Sequence, residues 1–135
     1  MTTLRLALWG LLPLLVAPPS LRAEEAPAAQ AAAVPTGQYA CSFAQGGLRY
    51  RAFTCRITRG TDERLQLEKL NGSQRIRGAV EPKGEGFTFR GTYFCPVGSC
   101  DRAVTGEFQR QSAGVYVGRL DDPERTQVKL VWRRK

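Results

Sequence analysis

Ile76-Arg77-Gly78-Ala79-Val80, Phe89-Arg90-Gly91-Thr92-Tyr93, Val104-Thr105-Gly106-Glu107-Phe108 and Tyr116-Val117-Gly118-Arg119-Leu120 repeat one pattern, apolar-x-Gly-x-apolar. Alternate residues of a strand point to one face, so each glycine shares a face with the two apolar residues flanking it. Turn chemistry separates the windows: Lys83-Gly84-Glu85-Gly86, Gly98-Ser99, and Ser112 beside Gly114. Folding an antiparallel meander about those centres sets Gly78 opposite Gly91, Gly91 opposite Gly106, and Gly106 opposite Gly118. Glycines aligned across an apolar face let a sheet bend sharply, which closing it into a small barrel requires.

Working outward, eight segments alternate or are rich in strand formers: roughly 37–44, 49–58, 64–70, 74–81, 86–95, 102–110, 115–120 and 127–133. Asn71-Gly72 reads as a two-residue hairpin loop, because both residues tolerate positive φ. That loop places Leu67 opposite Ile76 and Leu65 opposite Gly78, and on the other face Glu68 opposite Arg75. The same meander sets Arg90 opposite Glu107. No segment after the amino-terminal region has helical periodicity. The expected fold is all-β, an eight-stranded antiparallel up-and-down meander closing into a small barrel without exposed edges.

The inward set is Leu65, Leu67, Ile76, Val80, Phe87, Phe89, Tyr93, Val104, Phe108, Tyr116 and Leu120. An eight-stranded barrel is filled by side chains or just wide enough for one small ligand. A packed interior is the expectation, since no charged residue sits obviously inside to orient a ligand.

The first 23 residues read as a secretory signal peptide: Arg5, then an apolar run from Leu6 to Ala17, then Pro18-Pro19-Ser20 and a cut after Ala23. Residues 24–35, mostly alanine with Glu, Pro and Gln, read as a flexible linker. Residues 36–135 form a single domain. The chain carries 20 Lys plus Arg against 12 Asp plus Glu. Without Arg5 and Arg22, 18 basic residues face 12 acidic ones, about +6 for the mature protein. Such a charge favours anionic membrane surfaces or glycans, and export argues against nucleic acid.

Four cysteines in an exported domain read as two disulfides. Of the three pairings, Cys41 with Cys55 and Cys95 with Cys100 is favoured. The first pair flanks the Gly46-Gly47 hairpin, and the second brackets Pro96-Val97-Gly98-Ser99, with Cys95 opposite Arg102. Zinc is the competitor, but the spacings lack paired short knuckles. With no histidine in the chain, histidine-based nucleophile systems and His-ligated metal sites are excluded. The remaining carboxylates, Glu81, Glu85, Asp101, Asp121, Asp122 and Glu124, lie mostly in turn-like stretches, and Asp121 to Glu124 lacks calcium-loop spacing. A noncatalytic protein without cofactor is expected.

The meander, export signal, disulfides and apolar-x-Gly-x-apolar strands resemble small lipocalin-like or calycin-like barrels of the bacterial envelope. The resemblance is architectural and implies fold rather than function. Gly37-Gln38-Tyr39 has tyrosine where the lipocalin Gly-x-Trp motif has tryptophan. Ser112-Ala113-Gly114-Val115-Tyr116 is similar to the Ser-Gly-x-x-Tyr loop of periplasmic lysozyme inhibitors with its glycine displaced by one, so no inhibitory residue is carried over.

The functional expectation is an exported binding module, taking a small apolar ligand or an envelope protein, for example as an inhibitor, through barrel or loops. The alternative is a structural envelope protein with a filled barrel and an arginine face on anionic lipid or glycan. Candidate binding residues are Arg75, Arg77 and Arg90 outside, and Tyr93 and Tyr116 inside.

Overall fold

The computed structural model describes residues 31–134. The signal peptide expected at 1–23 and the first part of the 24–35 linker lie outside them.

Eight antiparallel strands follow one another around a closed barrel: β1 (Gly37–Gln45), β2 (Leu48–Arg59), β3 (Leu65–Lys69), β4 (Arg75–Lys83), β5 (Gly86–Phe94), β6 (Arg102–Ser112), β7 (Val115–Leu120) and β8 (Gln127–Trp132). Closure runs from Tyr39 opposite Trp132 to Ala44 opposite Gln127. Every residue of the expected inward set is buried, joined by Tyr39, Ile57, Val128 and Leu130. Burying each large apolar side chain contributes roughly 1.5–3 kcal/mol.

The faces are as expected, but three registers are not. Gly78 does stand opposite Gly91. Gly91, however, faces Val104 while Gly106 faces Phe89, and Gly118 faces Phe108 while Gly106 faces Leu120. Likewise Leu67 faces Gly78 and Leu65 faces Val80, so Glu68 pairs with Arg77 rather than Arg75. Arg90 faces Thr105, Glu107 faces Thr88, and Arg102 faces Tyr93 rather than Cys95.

Each slip is two residues, which leaves every side chain on its face. Closing a barrel demands stagger between strands, and packing selects its size. In the observed register bulky residues lie against glycine. A Cβ on Gly118 would stand 2.6 Å from the Phe108 ring, and one on Gly106 2.9 Å from Leu120 Cδ2. Side by side, the glycines would have left a ring-shaped void; staggered, they receive rings, and Phe87 stacks on Phe108 with centroids 4.6 Å apart.

The Asn71-Gly72 hairpin is also longer than expected, since residues 70–74 connect β3 to β4. Gly72 has φ 91°, while Asn71 is not among the residues with positive φ. Its Oδ1 instead accepts the Thr54 amide at 3.0 Å. Asn71 thus satisfies a neighbouring strand amide in place of forming a type I′ turn.

The two barrel ends differ. At one end, residues 31–36 fold back under the sheet: Val34 is 3% exposed, and the Ala32 amide donates to Gly84 O at 2.8 Å. Tyr39 Oη donates to Pro35 O at 2.6 Å and Trp132 Nε1 to Thr36 O at 3.2 Å. We call this the closed end. At the other, open end lie the loops 46–47, 70–74, 95–101 and 121–126.

The candidate functional site at the open end

β3 runs towards the open end with Leu65, Leu67 and Lys69 all on its inward face. The period of two that buries the leucines therefore carries a lysine into the barrel mouth. Lys69 is only 8% exposed. Its Nζ lies 3.8 Å from the Phe53 ring centroid and 5.3 Å from that of Phe43, and donates to Gln74 O at 2.6 Å. The negative faces of the rings attract the ammonium, but they leave N–H donors without a hydrogen-bond acceptor. Burial lowers the amine's pKa, and the nearby Arg75 guanidinium lowers it further.

Around Lys69 is a cavity of about 320 Å³, lined by Phe43, Tyr50, Phe53, Arg75 and Tyr93 among others. A bulge builds its aromatic side. Cys41 pairs with Phe53 but Phe43 with Tyr50, so β2 carries one extra residue there. The extra residue reverses the alternation and turns Tyr50, 44% exposed, towards the mouth.

A second polar cluster anchors the wall beside the cavity. Asp122 Oδ1 accepts the Thr126 amide at 2.8 Å, and Oδ2 accepts the Thr126 hydroxyl and, at 3.0 Å, Tyr93 Oη. Gln45 Nε2 donates to Thr126 Oγ1 at 2.8 Å. Burial on its own would raise the Asp122 pKa, but the bonds from Thr126 and Tyr93 outweigh it and hold the carboxyl below its ordinary value. Tyr93 is raised well above the usual phenol value, first by burial and then by its bond to Asp122. Among the described residues, no buried side-chain polar atom lacks a partner. Asp122 is therefore a structural tie between β5 and the 121–126 loop.

Two buried charged residues, Lys69 and Asp122, thus stand at the mouth of a barrel in which no charged residue was expected inside. The alternation Leu65-x-Leu67-x-Lys69 was the signal for the first. Asp122 lies in a loop where no period operates.

The expected binding residues do not form one site. Arg75 and Tyr93 share the mouth cavity. Arg77 lies outside over the Phe94 ring, 4.7 Å from its centroid. Arg90 lines an open concavity of about 890 Å³ on the outer sheet surface, together with Arg119, Glu81, Glu107 and Asp121. Tyr116 is buried towards the closed end, against Tyr39 and Phe87 at 6.5 and 5.3 Å between centroids.

The outer concavity is larger, yet its charges are of both signs and none is buried. The ion pairs of the described residues, Arg59–Glu63, Arg64–Asp62, Lys83–Glu107 and Arg110–Glu85, belong to the closed half of the barrel. None involves Lys69, Arg75 or Arg102 at the mouth. No group of three or more acidic, cysteine or histidine residues that could hold a metal occurs among the described residues.

Both disulfides form as paired above, Cys41–Cys55 and Cys95–Cys100, and no described cysteine is free. The second braces the loop beside the mouth. Two disulfides are compatible with an extracellular or periplasmic location.

No curated protein and no solved structure matches the chain. A family model does match residues 15–134, and the chain accordingly belongs to the family described as Domain of unknown function (DUF4893).

Proposed function

We propose that this protein is an exported, noncatalytic binding module whose barrel mouth takes a small, partly aromatic or apolar anion, with Lys69 as the counter-charge. One observation carries the reading: a nearly buried ammonium with a single hydrogen-bond acceptor, flanked by two phenyl rings, at a cavity of about 320 Å³. A cavity of that size, lined by Phe43, Tyr50, Phe53, Ile76 and Tyr93 and by as many polar side chains, among them Gln45, Lys69 and Arg75, has room for a small molecule. A carboxylate or sulfonate arriving there would give the ammonium a second, charge-assisted partner. Arg75 and Arg102 add positive potential at the rim, Arg102 over the Tyr93 ring and near enough to Asp122 to favour its ionised form.

The outer arginine face has less support as the working surface. Arg77 is occupied by Phe94, and Arg90 shares its concavity with Glu81 and Glu107. Below the mouth the interior is packed, which confines a ligand to the open end.

Titration with 1-anilinonaphthalene-8-sulfonate, an aromatic anion, tests the reading. The wild-type protein is expected to bind one equivalent saturably. Lys69→Met, which keeps the side-chain length and removes the charge, is expected to weaken binding about 10- to 100-fold, the weight of a charge-assisted hydrogen bond. Equal affinity in folded Lys69→Met protein, or no saturable binding in the wild type, overturns it.

A further inference from the structure

We infer that the open end of the barrel docks on an anionic lipid bilayer, with Leu48, Tyr50 and Val97 entering the interface and the mouth arginines resting on the head groups. This goes beyond ligand binding and does not depend on Lys69 holding a ligand.

The described residues include four exposed large hydrophobics, of which three, Leu48 at 62%, Tyr50 at 44% and Val97 at 91%, lie at the open end. Leu48 and Tyr50 start β2 just after the 46–47 turn, and Val97 is at the tip of the loop braced by Cys95–Cys100. Strand order places these two loops on opposite sides of the mouth. Apolar tips on opposite sides of a barrel end can enter one plane together. A protein interface needs a contiguous complementary patch, whereas a bilayer asks only that the tips reach a common depth.

The charges agree with this choice. Arg49, Arg51, Arg75 and Arg102 belong to the open ends of β2, β4 and β6, and none takes part in an ion pair among the described residues; with Arg125 they outnumber the exposed carboxylates of the same end, Asp101, Asp121 and Glu124. At the closed end the cations are partly neutralised by Glu63, Asp62, Glu107 and Glu85. Apolar residues interleaved with an excess of cations are the recognition chemistry of an anionic membrane surface. A bilayer on the open end would also face the mouth cavity.

Flotation with extruded vesicles of phosphatidylcholine alone, or mixed equally with phosphatidylglycerol, tests the inference. The wild-type protein is expected to float with the mixed vesicles, to remain behind with the zwitterionic ones, and to release as salt rises. Arg49→Gln with Arg51→Gln is expected to lower partitioning about twenty-fivefold, at about fivefold per cation. Leu48→Ser with Val97→Ser, uncharged changes at exposed positions that leave the core intact, is expected to lower it at least tenfold. Arg133→Gln with Arg134→Gln, the same charge change at the closed end, is expected to act less than twofold. Equal losses from both ends, or no loss from the Leu48 and Val97 pair, would reduce the effect to general charge attraction and overturn docking by the mouth. Absence of flotation at low salt overturns the bilayer as occupant and leaves a protein partner for the apolar tips.

Discussion

At the closed end of the barrel, Val34 and Tyr39 are buried and Trp132 packs against them, with acceptors for Tyr39 Oη and Trp132 Nε1 and ion pairs around the outside. At the open end a lysine is held on aromatic faces beside a cavity, and the surrounding arginines take part in none of the contact ion pairs of the described residues. The same strands run through both regions. One end is arranged for stability, and the other, beside the Asp122 tie, retains a lysine and a cavity that stability does not require. Binding functions are commonly placed this way, on a rim held by a rigid scaffold.

The largest effect that would break this contrast belongs to the closed half. Phe108→Ala removes a ring stacked on Phe87 and lying over Gly118, and is expected to cost about 3–5 kcal/mol in urea unfolding. A cost below about 1 kcal/mol would show that this half is not tightly packed. Asp122→Ala comes next. It strips two donors of Thr126 and Tyr93 Oη of their acceptor, for an expected loss of about 2–3 kcal/mol at neutral pH.

The same carboxylate sets an acid dependence. Its folded pKa lies below the ordinary carboxylate value near 4, so its contribution is present above that value and lost as pH falls through the folded pKa. Asp122→Ala is therefore expected to flatten the acid limb of a stability–pH curve. On the alkaline side Tyr39 and Tyr93 have raised folded pKa values. Their contribution is complete below about pH 10 and declines as pH rises towards the folded values. Tyr93→Phe should reduce that decline, and an unchanged alkaline limb would count against the assignment.

The smallest stability change is expected from Lys69→Met. Replacing a buried charge with an apolar chain of similar volume is neutral or stabilising in many settings, so a shift within about 1 kcal/mol is expected. A large loss of stability would mean that the ammonium holds the mouth together, making it a structural counterpart of Asp122.

Much of the architecture was legible in the chain. Alternation identified the eight strands, every inward residue named from it is buried, and the cysteine spacing gave the observed bridges. The candidate site was less legible. Tyr93, expected inside, and Arg75, expected on the outer face, both line the mouth cavity, and Lys69, which continues the Leu65-Leu67 period, was not among the expected binding residues. Lysine is seldom buried on average, and that average fails where a strand end is sheltered by aromatic rings.

Residue order alone therefore settled which face each side chain takes, because the strand period is two and a slip of two changes no face. It did not settle which residues meet across the sheet. Gly106 opposite Phe89 and Leu120, rather than opposite Gly91 and Gly118, follows from barrel stagger and from fitting rings into glycine gaps. Nor did it join Asp122 to Tyr93 and Thr126, since that contact spans 29 residues to Tyr93 and depends on β5 and the β7–β8 loop arriving at the same rim. Periodicity is a local property of the chain, whereas register and the polar contacts at the mouth arise only when the whole sheet has closed.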